Sequence, residues 1–155
     1  MSIEEFSRQA ARAGGELIET QITAGGERIF AIAEFAFGTA PKLEADLLEV
    51  SELDGPHEVR LVGVDLDQIK AARPAAGYLV EWDLPADLDM ESYLARKKAN
   101  SPKYANVPEV NFLRTYVRED MDKCLCFYDA PDEAAVRRAR DAVSTPIDRV
   151  HTLGG

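Results

Sequence analysis

An α+β fold built on antiparallel sheets is predicted from three features of the sequence. Short apolar runs of strand length alternate with stretches of helical period, in nearly the same order in both halves of the 155 residues. Glycine or proline stands at most of the joins. The stretch from Lys123 to Arg140 shows the repeating unit in full: Lys-Cys-Leu-Cys-Phe-Tyr-Asp as a strand, Ala-Pro as a turn, and Asp-Glu-Ala-Ala-Val-Arg-Arg-Ala-Arg as a helix.

In that last helix Asp132 is placed to cap, because its carboxylate can accept from free N–H groups of the first turn. Glu133 suits the positive end of the helix dipole, and Arg137, Arg138 and Arg140 read as a solvated face toward the other end. Side chains alternate along the preceding strand, so Leu125 and Phe127 share one face while Cys124, Cys126 and Tyr128 share the other. The first set is an ordinary core stripe. The second, two thiols and a phenol in a row, is where a functional reading begins.

From the N-terminus, Ile3, Phe6, Ala10 and Ala13 make one helical face, with Ser2 as cap and Gly14-Gly15 as stop. Leu17 to Ile22 and Arg28 to Phe37 read as two strands joined by the turn Ala24-Gly25-Gly26. A helix from Ala40 to Val50, a loop through Asp54-Gly55-Pro56 with an exposed His57, a strand from Val59 to Val64 and a short helix from Asp65 to Ala72 complete the first half. In the second half Gly77 to Leu84 is a strand, and Asp89 to about Lys103 is a helix. That helix has Met90, Tyr93 and Leu94 on its apolar side and Arg96-Lys97-Lys98 in solvent. Val110 to Arg118 is a strand, Glu119 to Asp122 a turn, and Ile147 to Leu153 the final strand.

The second half therefore reads β-α-β-β-α-β, the split βαβ order of a ferredoxin-like fold, and the first half reads the same with its opening strand missing. Two ferredoxin-like halves, residues 1–74 and 75–155, are expected. Each has a sheet covered by helices on one face, and the bare faces pack together as in dimeric α/β barrels, within the chain or through a homodimer. The interior between the sheets is the expected place for a site.

Composition narrows the function. With 46% hydrophobic residues the chain has material for a core, and a net charge of −10 repels phosphate backbones, which argues against nucleic acid as a partner. No apolar run reaches the roughly 18 residues of a membrane span. Met-Ser-Ile-Glu-Glu-Phe is acidic and lacks a signal segment, which predicts the cytoplasm. Two cysteines one residue apart on a strand sit about 6–7 Å apart at Cα and bridge poorly, so free thiols are expected. No Gly-rich phosphate loop, Cys-x-x-Cys, His-Glu-x-x-His or nucleophile elbow is present.

Three stretches carry a family resemblance: Tyr78-Leu79-Val80-Glu81-Trp82-Asp83-Leu84-Pro85, Phe112-Leu113-Arg114-Thr115-Tyr116-Val117, and Cys126-Phe127-Tyr128-Asp129-Ala130-Pro131-Asp132. In order and spacing, residues 78–153 resemble a family of small bacterial ferredoxin-like domains of unknown function that includes a nickel-binding protein. The family pattern has a Glu in the first strand, Ser-Tyr or Thr-Tyr in the second and Cys-x-Tyr-x-Ala-Pro in the third, here Glu81, Thr115-Tyr116 and Cys126 to Pro131. Members often carry a His just before the Ser-Tyr pair. This chain has Arg114 there, which removes an imidazole and adds positive charge.

The expected site lies on the bare sheet face, with Glu81, Arg114, Tyr116, Cys126 and Tyr128 lining one cavity and Arg114 paired with Glu81. Cys126, Glu81 and His151 offer soft, hard and borderline ligands for nickel or another divalent metal. Arg149 shares a strand face with His151, whereas Trp82 and Tyr93 read as core. The favoured function is a binding protein for a small ligand or metal ion. The alternatives are a cofactor-free isomerase or oxygenase, with Glu81 as base and Arg114 and Tyr116 holding an anion, or an oligomerisation module.

Overall fold

The computed structural model describes residues 3–35, 57–63 and 76–154, which fall into two units, Met1–His57 and Glu58–Gly155. The expected helices at 40–50 and 65–72, the cap at Ser2 and the end of the strand toward Phe37 lie outside the described residues.

In the first unit helix α1 (Ile3–Arg12) is followed by strands β1 (Glu16–Ile22) and β2 (Ile29–Glu34) in an antiparallel hairpin. The helix stops where expected. Gly14 takes φ 81°, its N–H donates to Ala11 O at 3.0 Å, and the Gly15 N–H donates to Ala10 O at 2.7 Å. These are the two bonds of a Schellman cap. The hairpin closes through Thr23 and Arg28, with Gly26 at φ 69° in the turn.

The second unit holds strands β3 (Val59–Val62), β4 (Tyr78–Asp83), β5 (Asn111–Arg118), β6 (Lys123–Asp129) and β7 (Arg149–Thr152), in the spatial order β3-β5-β6-β4-β7 with every neighbouring pair antiparallel. Helix α2 (Met90–Asn100), a 3-10 turn (Ser101–Asn106) and helix α3 (Glu133–Ala142) connect them. From β4 onward this is the β-α-β-β-α-β order read from the sequence. Asp89 caps α2 through the Ser92 N–H at 2.7 Å, and Asp132 caps α3 through the Ala135 N–H at 2.8 Å. Strand β3 was assigned to the first half on sequence order, but it pairs with β5 from Val59↔Arg118 to Val62↔Thr115, so the unit boundary falls before it and not near residue 74. Without β3, β5 would be an open edge with a full row of unpaired N–H and C=O groups.

Strand β6 is buried on both faces: Cys124, Cys126, Phe127 and Tyr128 are all fully buried. Cys126 and Tyr128, expected on the bare face, point at the helices, where Arg140 of α3 and Lys97 of α2 reach them. Phe127 points the other way with Arg114 and Tyr116. Alternation had sorted the two stripes correctly. It could not say which stripe the helices cover, because a strand buried on both sides is apolar on both.

Helix α3 ends in the same cap as α1. Ser144 N–H donates to Asp141 O at 3.0 Å and Thr145 N–H to Arg140 O at 2.9 Å, with Ser144 at φ 55° where α1 uses glycine. A left-handed conformation costs a non-glycine residue about 1–2 kcal/mol, of which glycine's larger unfolded-state entropy returns part. Ser144→Gly is therefore expected to stabilise the chain by about 0.5–1 kcal/mol, read as a higher urea midpoint with an unchanged slope.

Candidate functional site

The sheet separates the chemistry of the second unit into two clusters, one on each face. Under the helices the centre is Cys126. Its sulfur accepts from Thr115 Oγ1 at 3.2 Å and Arg140 Nη1 at 3.4 Å, and Lys97 Nζ and Cys124 Sγ each lie 4.0 Å away. Register explains the first contact, since Thr115 is the cross-strand partner of Cys126. A bulge between Phe112 and Arg114 turns Phe112 toward the helices, against Tyr104 and Tyr128, and puts Arg114 and Tyr116 on the opposite face.

Arg140 is 1% exposed, and it also donates to Tyr128 Oη at 3.1 Å and Pro146 O at 2.6 Å. Tyr128 Oη in turn lies 2.6 Å from Tyr104 Oη. Arg140 was expected in the solvated run. Only Arg137 and Arg138 are exposed, because Arg140 stands one turn beyond Val136 on the buried stripe of α3. Lys97, also read as solvated, is half-buried over the Phe112 ring at 4.7 Å.

The hydrogen bond from Cys124 holds the Cys126 thiol well below the usual range. Burial opposes this, while Lys97, Arg140 and Thr115 reinforce it. Cys124 moves up, through the same hydrogen bond and through its own burial. A crevice of about 20 Å³ reaches Cys126 between Trp82, Tyr93, Arg96, Lys97, Arg140 and Thr145.

On the face away from the helices the centre is Glu81, 1% exposed. Lys123 Nζ donates to Oε1 at 3.0 Å, Arg149 Nε donates to Oε2 at 3.0 Å, and His151 Nε2 lies 2.7 Å from Oε2. Pairing of β4 with β7 produces this group, for Glu81 faces Arg149 and Leu79 faces His151. Arg149 also forks onto Asp83. Burial pushes Glu81 up, but His151, Lys123 and Arg149 outweigh it and hold the carboxyl at about 2.

The expected five-residue cavity is thus divided. Glu81, Arg114, Tyr116 and His151 share one face, and Cys126 and Tyr128 share the other. Arg114, expected on Glu81, lies over the Phe127 ring at 4.8 Å, with β6 between its strand and β4. The helices cover the stripe of β6 that carries Cys126 and Tyr128, which puts those two on the other side of the sheet from Glu81, Arg114 and Tyr116. Lys123 and Arg149 were missed as partners of Glu81, with Asp83 on the far side of Arg149, and Lys97, Tyr104 and Arg140 as partners of the thiol and phenol. The helical period marks Arg140, one turn beyond Val136, and Lys97, one turn beyond Tyr93. Lys123 and Arg149 depend on strand register.

The depressed carboxyl fixes a pH dependence. A group whose folded value lies below its unfolded value stabilises the fold above the unfolded value, and the gain is lost as pH falls through the folded one. The Glu81 contribution is present above pH 4.5 and lost toward pH 2. Glu81→Gln is expected to cost about 2–3 kcal/mol at pH 7 and progressively less toward pH 2. Urea unfolding of both proteins at pH 7 and pH 3 checks this, and an equal gap at the two values would remove Glu81 as the source.

No curated protein matches the chain. The crystal structure of SCO4226 from Streptomyces coelicolor A3(2) is similar at 14% identity and TM-score 0.43, over 50% of this chain and 94% of that one. Residues 78–153, from β4 to one residue past β7, match the family model described as nickel responsive protein SCO4226-like.

Proposed function

We propose that the family segment works as a small binding module, not as an enzyme, with the Glu81–His151 pair as its ligand-facing element. The observation that carries this reading is the 2.7 Å approach of His151 Nε2 to Glu81 Oε2 on the sheet face that α2 and α3 leave uncovered. Imidazole and carboxylate are donors that borderline divalent metals accept, and the family description names nickel as what its members respond to. In this reading a second sheet, from this chain or a second copy, covers that face in the ferredoxin-like, dimeric-barrel manner.

The residues at hand do not make a complete nickel site. Among the described residues no three His, Cys, Asp or Glu side chains converge. Cys126 lies through the sheet from the other two candidates. Lys123 and Arg149 already hold the carboxylate and oppose a cation. A base role for Glu81 fares no better, since a carboxyl held near 2 is far from the neutral range in which a general base works best.

Calorimetric titration of tag-free protein near neutral pH is expected to give nickel binding weaker than about 10 µM, reduced further in His151→Ala and in Glu81→Gln. Micromolar binding untouched by both changes would remove the pair from the reading. Micromolar binding lost in Cys126→Ala would move the ligand site to the thiol.

A further inference from the structure

We propose that Cys126 is a reactive thiolate that hydrogen peroxide oxidises to a sulfenic acid, which makes the helix-covered face a redox site independent of the Glu81 face. The geometry begins with charge. Arg140 is a buried guanidinium, and among the described residues its hydrogen-bond partners are the Tyr128 hydroxyl, the Pro146 carbonyl and the Cys126 sulfur, none of them a carboxylate. A buried cation needs a counter-charge, and a thiolate at 3.4 Å supplies it. Donors converge on that sulfur from Thr115, Arg140 and Lys97, more than a neutral thiol, a weak acceptor, would gather. Cys126 is not a lone cysteine on a strand: it is the acceptor for two cations and a hydroxyl. The lowered value of its thiol agrees with this arrangement.

Access is the second observation. The crevice of about 20 Å³ that ends on Cys126 is lined by Arg96, Lys97 and Arg140 and by no acid. Its volume is on the order of one water molecule. Arg96 is exposed at its rim, bound to Ser144 O at 2.6 Å and 5.3 Å from the Trp82 ring centre. Cys126 itself is 0% exposed, so the side chains around the crevice must part before attack, which favours a very small oxidant over a bulky one.

In the reaction the Cys126 sulfur attacks one peroxide oxygen. An S–O bond forms and the O–O bond breaks. The sulfur gives up two electrons and becomes Cys–SOH, while the other oxygen leaves as hydroxide, which Lys97 and Arg140 stabilise and a proton converts to water. Cys124 Sγ, at 4.0 Å, is about twice a disulfide bond length away, so sulfenic acid is the first product.

The test treats the folded full chain, with chelator present, with hydrogen peroxide, removes the peroxide with catalase, then unfolds the protein in urea with a dimedone-type sulfenic acid trap and maps adducts by peptide mass. Expected is an adduct on Cys126 at least tenfold faster than on Cys124, slowed several-fold in Lys97→Met, and much slower with cumene hydroperoxide. Cys124→Ala removes the route to a disulfide together with one donor to the Cys126 sulfur, so the label stays on Cys126 at a reduced rate. No Cys126 adduct in either wild type or Cys124→Ala, an adduct only when the peroxide itself is added in urea, or an unchanged rate in Lys97→Met would overturn the proposal. A null nickel titration leaves this result untouched.

Discussion

A guanidinium closed off from water has to find its hydrogen bonds and its counter-charge in the same small volume, and Arg140 organises the second unit on those terms. Its position on α3 is set by the helical period that buries Ala135, Val136 and Ala139. Once there it ties the helix to β6 through Cys126 and Tyr128, and to the segment leading into β7 through Pro146 O. Tyr128 passes the connection on to Tyr104 in the 3-10 turn. Helix, sheet and connection are thus registered against one another by a polar contact set inside an otherwise apolar layer, where an unmet group would be costly.

The sheet also acts as a partition. Thiol, phenol and guanidinium lie on one side, carboxylate and imidazole on the other, with one layer of backbone between them. Adjacent residues of β4 and β6 belong to different chemical environments: Trp82 sits with Tyr93 and Arg96, while Glu81, next to it, sits with Lys123, Arg149 and His151. Metal-type donors and the redox-type donor are therefore separate systems. Arg114 belongs to the Glu81 side.

Local features were legible in the sequence. Gly14, Asp89 and Asp132 ended or began helices as read, because capping depends on a few neighbouring residues. The β-α-β-β-α-β order, the core roles of Trp82 and Tyr93 and the shared face of Arg149 and His151 were legible too. What failed depended on cross-strand registration. The bulge beside Leu113 carries no sequence mark, yet it decides that Thr115 and not Arg114 meets Cys126. The place of β3 beside β5 was hidden for a similar reason, since its partner lies more than fifty residues along the chain.

The pairing of β3 has a consequence for how the chain can be divided. The family likeness starts at residue 78, but the sheet that gives this segment its stability starts at Val59. A fragment begun at Tyr78 would keep both clusters and lose the strand that shields β5. Four β5 positions, Thr115 to Arg118, would then offer bare backbone beside apolar side chains. Such a fragment would tend to pair edge to edge with its own copies, and an association seen in it would report the missing strand, not a native assembly.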